Sequence, residues 1–223
     1  WHTMTRTGKA EKLTQHLAKP YLAINPIDAK QYQLCDEDLV KLSAKSGEVT
    51  VPVKMTDQQA IGQCFLPIHW NNQFASNAVL RAVYQGKVDP LSGQPEAKHT
   101  AIKLEKISFS QYADVYIANE YLTDDIEING DYWLKSKTDF GWHIQLADSQ
   151  KDSAIQWSNM FDTKGEWISI EQGEDKHLLC LKDNQLVCAI YVSQSKFKAP
   201  QWVGEYFNND SLAFADIQTL LAG

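Results

Sequence analysis

The chain is poor in cysteine, in basic residues and in long apolar runs. Its 223 residues include four cysteines, none in a C-x-x-C pair, so the ligand spacing typical of zinc and iron–sulfur sites is missing. Lysine and arginine number 21 against 28 acidic residues, and this balance argues against a nucleic-acid-binding surface. No apolar run approaches the roughly 20 residues that span a bilayer. We therefore expect no nucleic-acid or membrane partner, and reduced, structural cysteines as in a cytoplasmic protein.

Aromatic residues, by contrast, are plentiful. Seven Trp, nine Tyr and eight Phe suffice for one or two real cores. The chain begins at Trp1 without an initiator Met and ends on Leu-Leu-Ala-Gly. We therefore expect a fragment of a longer polypeptide.

Short extended segments outnumber helical ones and predict a mainly β fold. Residues 39–44 and 48–55 flank Lys45-Ser46-Gly47 and predict a β-hairpin. The expected organisation is a small β-barrel domain over residues 1–107, a connector over 108–130 and a smaller α+β module over 131–223. In that module we expect strands at 132–137 and 142–146, a helix at 153–161, a meander of strands at 167–171, 177–182 and 186–192, and helices at 201–207 and 214–221.

Three polar segments are candidates for chemistry. Residues 1–8, Trp-His-Thr-Met-Thr-Arg-Thr-Gly, offer hydroxyls and a guanidinium suited to phosphate or pterin heteroatoms, although a solvated arm has the same composition. Residues 65–70, Phe-Leu-Pro-Ile-His-Trp, lead towards Asn77 and also fit a core aromatic beside a half-buried histidine. Residues 89–98, Asp-Pro-Leu-Ser-Gly-Gln-Pro-Glu-Ala-Lys, fit either a surface turn or a ligand-clamping loop with Lys98 aimed at an anion.

In this order the three segments resemble the C-terminal molybdopterin-guanine-dinucleotide-binding domain of the dimethyl-sulfoxide-reductase family, and within it bacterial assimilatory nitrate reductases. The first segment matches the opening motif of that family. Asn-Pro-Ile-Asp-Ala at 25–29 resembles its His-Pro-x-Asp-Ala, and residues 43–47 match its Ser-x-x-Gly hairpin. The segment after Asn77 departs from the pattern, because Ala-Val-Leu stands where Asn-x-Leu-Thr is usual and a few residues are added. The resemblance continues more diffusely over residues 131–223.

This resemblance implies a six-stranded double-psi β-barrel in a molybdenum enzyme that reduces nitrate to nitrite for assimilation. It places the molybdenum ligand and the iron–sulfur cysteines upstream, so we assign no catalytic residue and no metal ligand here and expect the isolated chain to be inactive.

We expect Trp70 and Phe74 to be exposed aromatics, together with Trp1. The residues implied to contact the molybdenum-bis(molybdopterin guanine dinucleotide) cofactor are Trp1, His2, Thr3, Thr5, Arg6, Asn77 and Lys98, with His69 and Trp70 lining the substrate funnel.

The implied partners are the upstream catalytic domains of the same polypeptide and either a downstream [2Fe–2S] module or an electron-donor protein. Two alternatives stay open. Residues 131–223 fit a non-catalytic module that docks an electron-donor domain. The parent also fits another molybdopterin oxidoreductase, such as a formate dehydrogenase, which the upstream metal ligand would distinguish.

Overall fold

A computed structural model describes residues 4–14, 17–94, 96, 99–123, 126–150, 153–161, 163–198 and 200–223. The described residues of Trp1–Gly8 and His16–Ser108 form one compact unit, termed the first unit. Those of Lys9–Gln15 and Phe109–Gly223 form the second unit.

Secondary structure in the described residues is mainly β. The strands are β1 (Leu22–Ile24), β2 (Leu39–Ala44), β3 (Gly47–Met55), β4 (Cys64–Phe65), β5 (Lys103–Lys106), β6 (Gln111–Ala118), β7 (Tyr132–Lys137), β8 (Gly141–Asp148), β9 (Glu166–Gln172), β10 (Asp175–Lys182) and β11 (Gln185–Ser193). The α-helices are α1 (Met4–Thr7), α2 (Glu11–Thr14), α3 (Pro26–Gln31), α4 (Ser153–Met160) and α5 (Phe214–Ala222). Short 3₁₀ helices cover Leu80–Val83, Asn119–Tyr121 and Gln201–Asn208. Among the described helices, none is long and apolar enough to cross a membrane.

The first unit is built on a five-stranded sheet in the order β4-β1-β3-β2-β5. β1 runs parallel to β3, and the other pairings are antiparallel. The β2–β3 hairpin is confirmed, with Ala44 opposite Gly47 at its turn. The strand that begins at Cys64 ends at Phe65, because Pro67 has no N–H to donate to a ladder.

Helix α3 follows β1 and begins as its sequence indicates. The Asn25 side chain accepts a hydrogen bond from the Ile27 N–H at 2.9 Å, and Pro26 occupies the first turn. Both features favour a helix start. The buried Asp28 carboxylate accepts the Gly62 N–H at 2.7 Å, which ties α3 to the turn before β4.

The second unit is a six-stranded antiparallel sheet in the order β7-β8-β6-β11-β10-β9. The meander β9-β10-β11 is confirmed, and the Asp183-Asn184 turn joins its last two strands with φ of 51° and 63°. These are the angles of a type I′ hairpin. Cys180 and Cys188 face each other on β10 and β11 as free, buried thiols, and burial raises the pKa of both.

The expectation of a connector over residues 108–130 does not match the structure. β6 lies between β8 and β11 in the middle of the second sheet. Its residues 112–117 are all buried, so the polar–apolar alternation of a half-exposed strand is absent. The segment 201–207, expected as an amphipathic helix, is part of a 3₁₀ helix.

A buried carboxylate on β6 holds the centre of the second unit. Asp114 is 3 % exposed. Its Oδ1 accepts hydrogen bonds from His143 Nε2 at 2.9 Å and Gln145 Nε2 at 3.0 Å, and its Oδ2 accepts the Lys198 N–H at 3.1 Å. The ring of Tyr116 stacks on His143 at 4.5 Å, and burial, followed by the charge of Asp114, raises the pKa of the Tyr116 phenol. Asp114 therefore joins β6, β8 and the segment after β11.

We predict that Asp114→Ala lowers the free energy of unfolding of the second unit by about 3 kcal/mol, because three donors lose their acceptor inside the fold. Urea unfolding, monitored by hydrogen exchange of the backbone amides in β6 and β8, measures the change in free energy. Asp210→Ala, at an exposed position in the same unit, is the matched control. An Asp114→Ala protein as stable as this control would contradict the prediction.

Candidate functional site

The first unit contains an open cavity of about 550 Å³. Two segments line it, one following β4 and one centred on the 3₁₀ helix Leu80–Val83. The lining residues are Ile68, His69, Trp70, Asn71, Asn72, Val79, Leu80, Arg81 and Tyr84. Aromatic, amide, imidazole and guanidinium groups thus meet around one space.

The first wall of the cavity is anchored by buried aromatic rings. Trp70 is 3 % exposed and Phe74 is 1 % exposed, so the expectation that both are exposed is wrong. Asn71 organises the turn between them. Its side-chain oxygen accepts the Gln73 N–H at 3.0 Å, and its carbonyl accepts the Phe74 N–H at 3.1 Å. These contacts fix the backbone that carries His69 and Asn72.

The second wall depends on a close backbone approach at Gly47. The 3₁₀ helix Leu80–Val83 packs against β3 and β2. A Cβ atom at Gly47 would lie 2.7 Å from the Ala82 carbonyl oxygen, a distance that side chains do not tolerate. The Thr50 N–H also donates to the Asn77 carbonyl at 2.7 Å. The hairpin glycine therefore lets Arg81 and Tyr84 reach the cavity.

Helix α1 is fixed against the first wall by a second glycine. The Gly8 N–H donates to the Met4 carbonyl at 2.9 Å, and Met4 is buried. A Cβ atom at Gly8 would lie 2.6 Å from Cε2 of Phe74. The end of the opening motif therefore packs on the ring that anchors the cavity loop.

The structure brings together some of the residues expected at the site. His69, which is exposed, and Trp70 both line the cavity. Arg6 and Asn77 are exposed and lie outside its lining. Thr5 lies in α1. The remaining expected residues fall outside the described part of the chain: Trp1, His2, Thr3 and Lys98.

Arg81 lines the cavity but was not among the candidates from the sequence. The chain has two arginines, Arg6 and Arg81, against many lysines. Arginine offers a planar fork of donors that matches phosphate, which makes it the residue to examine first in an anion site. Beside it, the amides of Asn71 and Asn72 can donate to and accept from a polar heterocycle, and the Trp70 and Tyr84 rings supply apolar surface. This set of groups fits a phosphorylated heterocyclic ligand.

The segment with the Asp-Pro-Leu-Ser-Gly sequence forms a turn closed by its own hydrogen bonds. Asp89 Oδ1 accepts the N–H groups of Leu91 at 3.0 Å and Ser92 at 2.8 Å, and the Ser92 hydroxyl at 3.0 Å. Its backbone pairs with Gln94 and Gly93. The hydrogen bonds from Ser92, followed by that from Leu91, lower the pKa of Asp89. These hydrogen bonds close the turn within the chain itself.

Comparison with known protein families finds a match over the first part of the chain. Residues 1–101 match the family model described as the molydopterin dinucleotide binding domain. Over these residues, which are just under half of the chain, the sequence is similar to that domain family. The matched range contains both cavity walls, α1 and the Asp89 turn.

The similar curated proteins are oxidoreductases. A nitrate reductase of Klebsiella oxytoca is 40 % identical over 104 residues, which are 47 % of this chain and 12 % of that protein. A nitrate reductase of Synechocystis sp. is 34 % identical over 107 residues, covering 48 % and 15 %. An F420-dependent formate dehydrogenase subunit alpha of Methanocaldococcus jannaschii is 33 % identical over 110 residues, also covering 48 % and 15 %. The chain thus spans a small part of the length of these relatives.

We predict that Gly47→Ala destabilises the first unit by about 1 to 3 kcal/mol, because the new methyl group meets a backbone oxygen that no rotamer change can move. Amide exchange of β2 and β3 in urea measures the change. Gly86→Ala is the control, since a Cβ atom there meets nothing within 4 Å. Equal stability of the two variants would show that the approach at Gly47 is not a constraint.

We also predict that the amide resonances of Leu91 and Ser92 titrate with a midpoint below 3.8, the ordinary pKa of Asp89. The hydrogen bonds favour the charged form, so their contribution is complete above the ordinary pKa and is lost as the pH falls through the lowered one. An NMR pH titration reads the midpoint, and Asp89→Asn should abolish the transition. A midpoint at or above 3.8 would contradict the assignment.

Proposed function

We propose that the first unit holds the molybdenum-bis(molybdopterin guanine dinucleotide) cofactor of a larger enzyme that reduces nitrate to nitrite for assimilation. The observation that carries the proposal is the cavity, where Arg81, two asparagine amides and aromatic rings meet in the matched region. The cofactor supplies oxygen-atom transfer when it is bound. The residues of this chain bind and orient it.

Each wall has a distinct part in this binding. Arg81 donates to a phosphate group through its fixed fork of N–H groups. Asn72 presents an amide donor and acceptor to the heterocycle, the side-chain NH₂ group of Asn71 presents donors, and the buried Trp70 forms part of the cavity lining. His69 lies exposed at the same cavity and faces the side from which substrate is proposed to enter.

The substrate proposal is supported by the relatives. Two similar proteins named nitrate reductase are 40 % and 34 % identical over the matched residues, and the formate dehydrogenase subunit is 33 % identical. Formate oxidation is therefore the second candidate. The parent enzyme assayed with nitrate and with formate distinguishes the two. We propose that the isolated chain turns over neither, because the metal ligand is proposed to lie upstream.

The same proposal extends to architecture and partners. The parallel pairing of β1 with β3 inside an otherwise antiparallel sheet supports a double-psi β-barrel as the complete fold of the domain. The proposed partners are the upstream catalytic domains and a [2Fe–2S] module or electron-donor protein. The four free cysteines fit a reducing, cytoplasmic compartment.

The proposal predicts that the chain binds guanosine 5′-diphosphate, which serves as a probe for the guanine nucleotide portion of the cofactor. Arg81→Ala should weaken this binding about tenfold or more, because a charge-assisted hydrogen bond contributes about 1.5 to 3 kcal/mol. Isothermal titration gives the affinity, and NMR shifts of residues 68–72 and 79–84 locate the ligand.

Lys45→Ala removes an equal charge from an exposed turn of the same unit and serves as the control. It should leave the affinity unchanged. A wild-type chain that binds no guanosine 5′-diphosphate, or an Arg81→Ala chain that binds it as tightly as the Lys45→Ala chain, would contradict the proposed function.

A further inference from the structure

We infer that β9, the outer strand of the second sheet, pairs with β9 of a second copy of this chain. β10 pairs along one side of β9, and among the described residues no strand pairs along the other. Such an edge presents unpaired N–H and C=O groups, which proteins usually shield with charged side chains (lysine above all), with proline or with a bulge. β9 carries Glu166 and Glu171, but it contains neither lysine nor proline, and its register with β10 is unbroken.

The opposite edge of the same sheet shows the shielding that β9 lacks. β7 carries Lys135 and Lys137, whose ammonium groups lie 5.3 and 5.0 Å from the Trp142 ring centre. Helix α2 also packs against β7. Among the described residues, the sheet therefore has one edge with lysines and a packed helix and one edge with neither.

The hairpin register decides which groups of β9 point outward. β9 and β10 are joined by the two-residue turn Gly173-Glu174, with Gly173 at φ 66°, and Gln172 lies opposite Asp175. In such a hairpin the residues next to the turn form a hydrogen-bonded pair, and the pattern alternates along the strand. The N–H and C=O groups of Trp167, Ser169 and Glu171 therefore face away from β10.

One register uses all of these outward groups. If two copies of β9 run antiparallel about a two-fold axis at Ser169, Trp167 lies opposite Glu171 of the second copy, and Ser169 lies opposite its equivalent. Each such pair exchanges both backbone hydrogen bonds. An interface with the same patch on both sides is the usual form of a two-fold dimer.

The side chains favour the same register. Ile168 lies opposite Ile170 of the second copy, and these two residues are 36 % and 39 % exposed in the single chain. Glu166 lies opposite Gln172, so no carboxylate faces another. A slip of one residue would put Glu166 opposite Glu171, and parallel pairing would put each glutamate opposite itself, both of which are unfavourable. The exposed Trp167 and isoleucines are thereby covered.

Sedimentation equilibrium of the chain with Ser169→Pro and Ser169→Ala tests the pairing. The Ser169 N–H faces away from β10, so proline leaves the β9–β10 ladder intact and blocks only the new pair. We expect a concentration-dependent dimer for the wild type and for Ser169→Ala, and at least about tenfold weaker association for Ser169→Pro. A wild-type chain that stays monomeric, or a proline variant that associates as tightly, overturns the inference.

Cross-linking tests the register. In a Cys35→Ser background, Ser169→Cys places two thiols beside the two-fold axis, and a short bismaleimide should join the copies. Ser46→Cys, in the exposed turn of the β2–β3 hairpin, is the matched control and should give little covalent dimer. Equal yields of covalent dimer from the two positions overturn the inference. This outcome would also be seen if the copies associated through another surface.

Discussion

Two close backbone approaches, each possible because a glycine has no Cβ atom, determine the geometry of the cavity. Gly8 lies against the Phe74 ring, and Gly47 lies against the Ala82 carbonyl. The first approach fixes α1 to one wall, and the second fixes the other wall to the β2–β3 hairpin. Both glycines end motifs that the family resemblance singles out, so these motifs have a packing role in addition to any contact with a ligand. Van der Waals contact thus sets the positions from which the polar groups act.

The cavity of the first unit and the centre of the second unit use polar side chains differently. At the cavity they lie on a loop and on a short 3₁₀ helix, where Asn71, Asn72 and Arg81 border an open space. In the second unit the central carboxylate, Asp114, accepts three hydrogen bonds from within the fold. A carboxylate so engaged stabilises a core, because a buried charge needs its donors. The contrast supports a binding role for the first unit and a scaffolding role for the polar centre of the second.

Features set by neighbouring residues could be predicted from the sequence, and features set by distant contacts could not. The β2–β3 hairpin, the Asn25 cap and the Asp183-Asn184 turn each depend on a few adjacent residues. β6 was missed because a strand buried on both faces shows no alternation. Trp70 and Phe74 were expected at the surface, but the loop folds over them and uses their rings as anchors. Arg81 lies where the sequence departs from the family spacing, so the resemblance gave no reason to select it, although its rarity in this chain did.

The cavity and the β9 edge also rest on different physics. The cavity depends on contacts that exclude a methyl group, and on charged and amide donors held by those contacts. The proposed pairing of β9 depends on backbone groups that no described strand pairs with. The side chains of β9 add only a preference for one register. Gly47 and β9 belong to different compact units, each with its own sheet. The binding proposal and the self-association proposal therefore rest on separate sets of residues, and each is tested by its own substitutions.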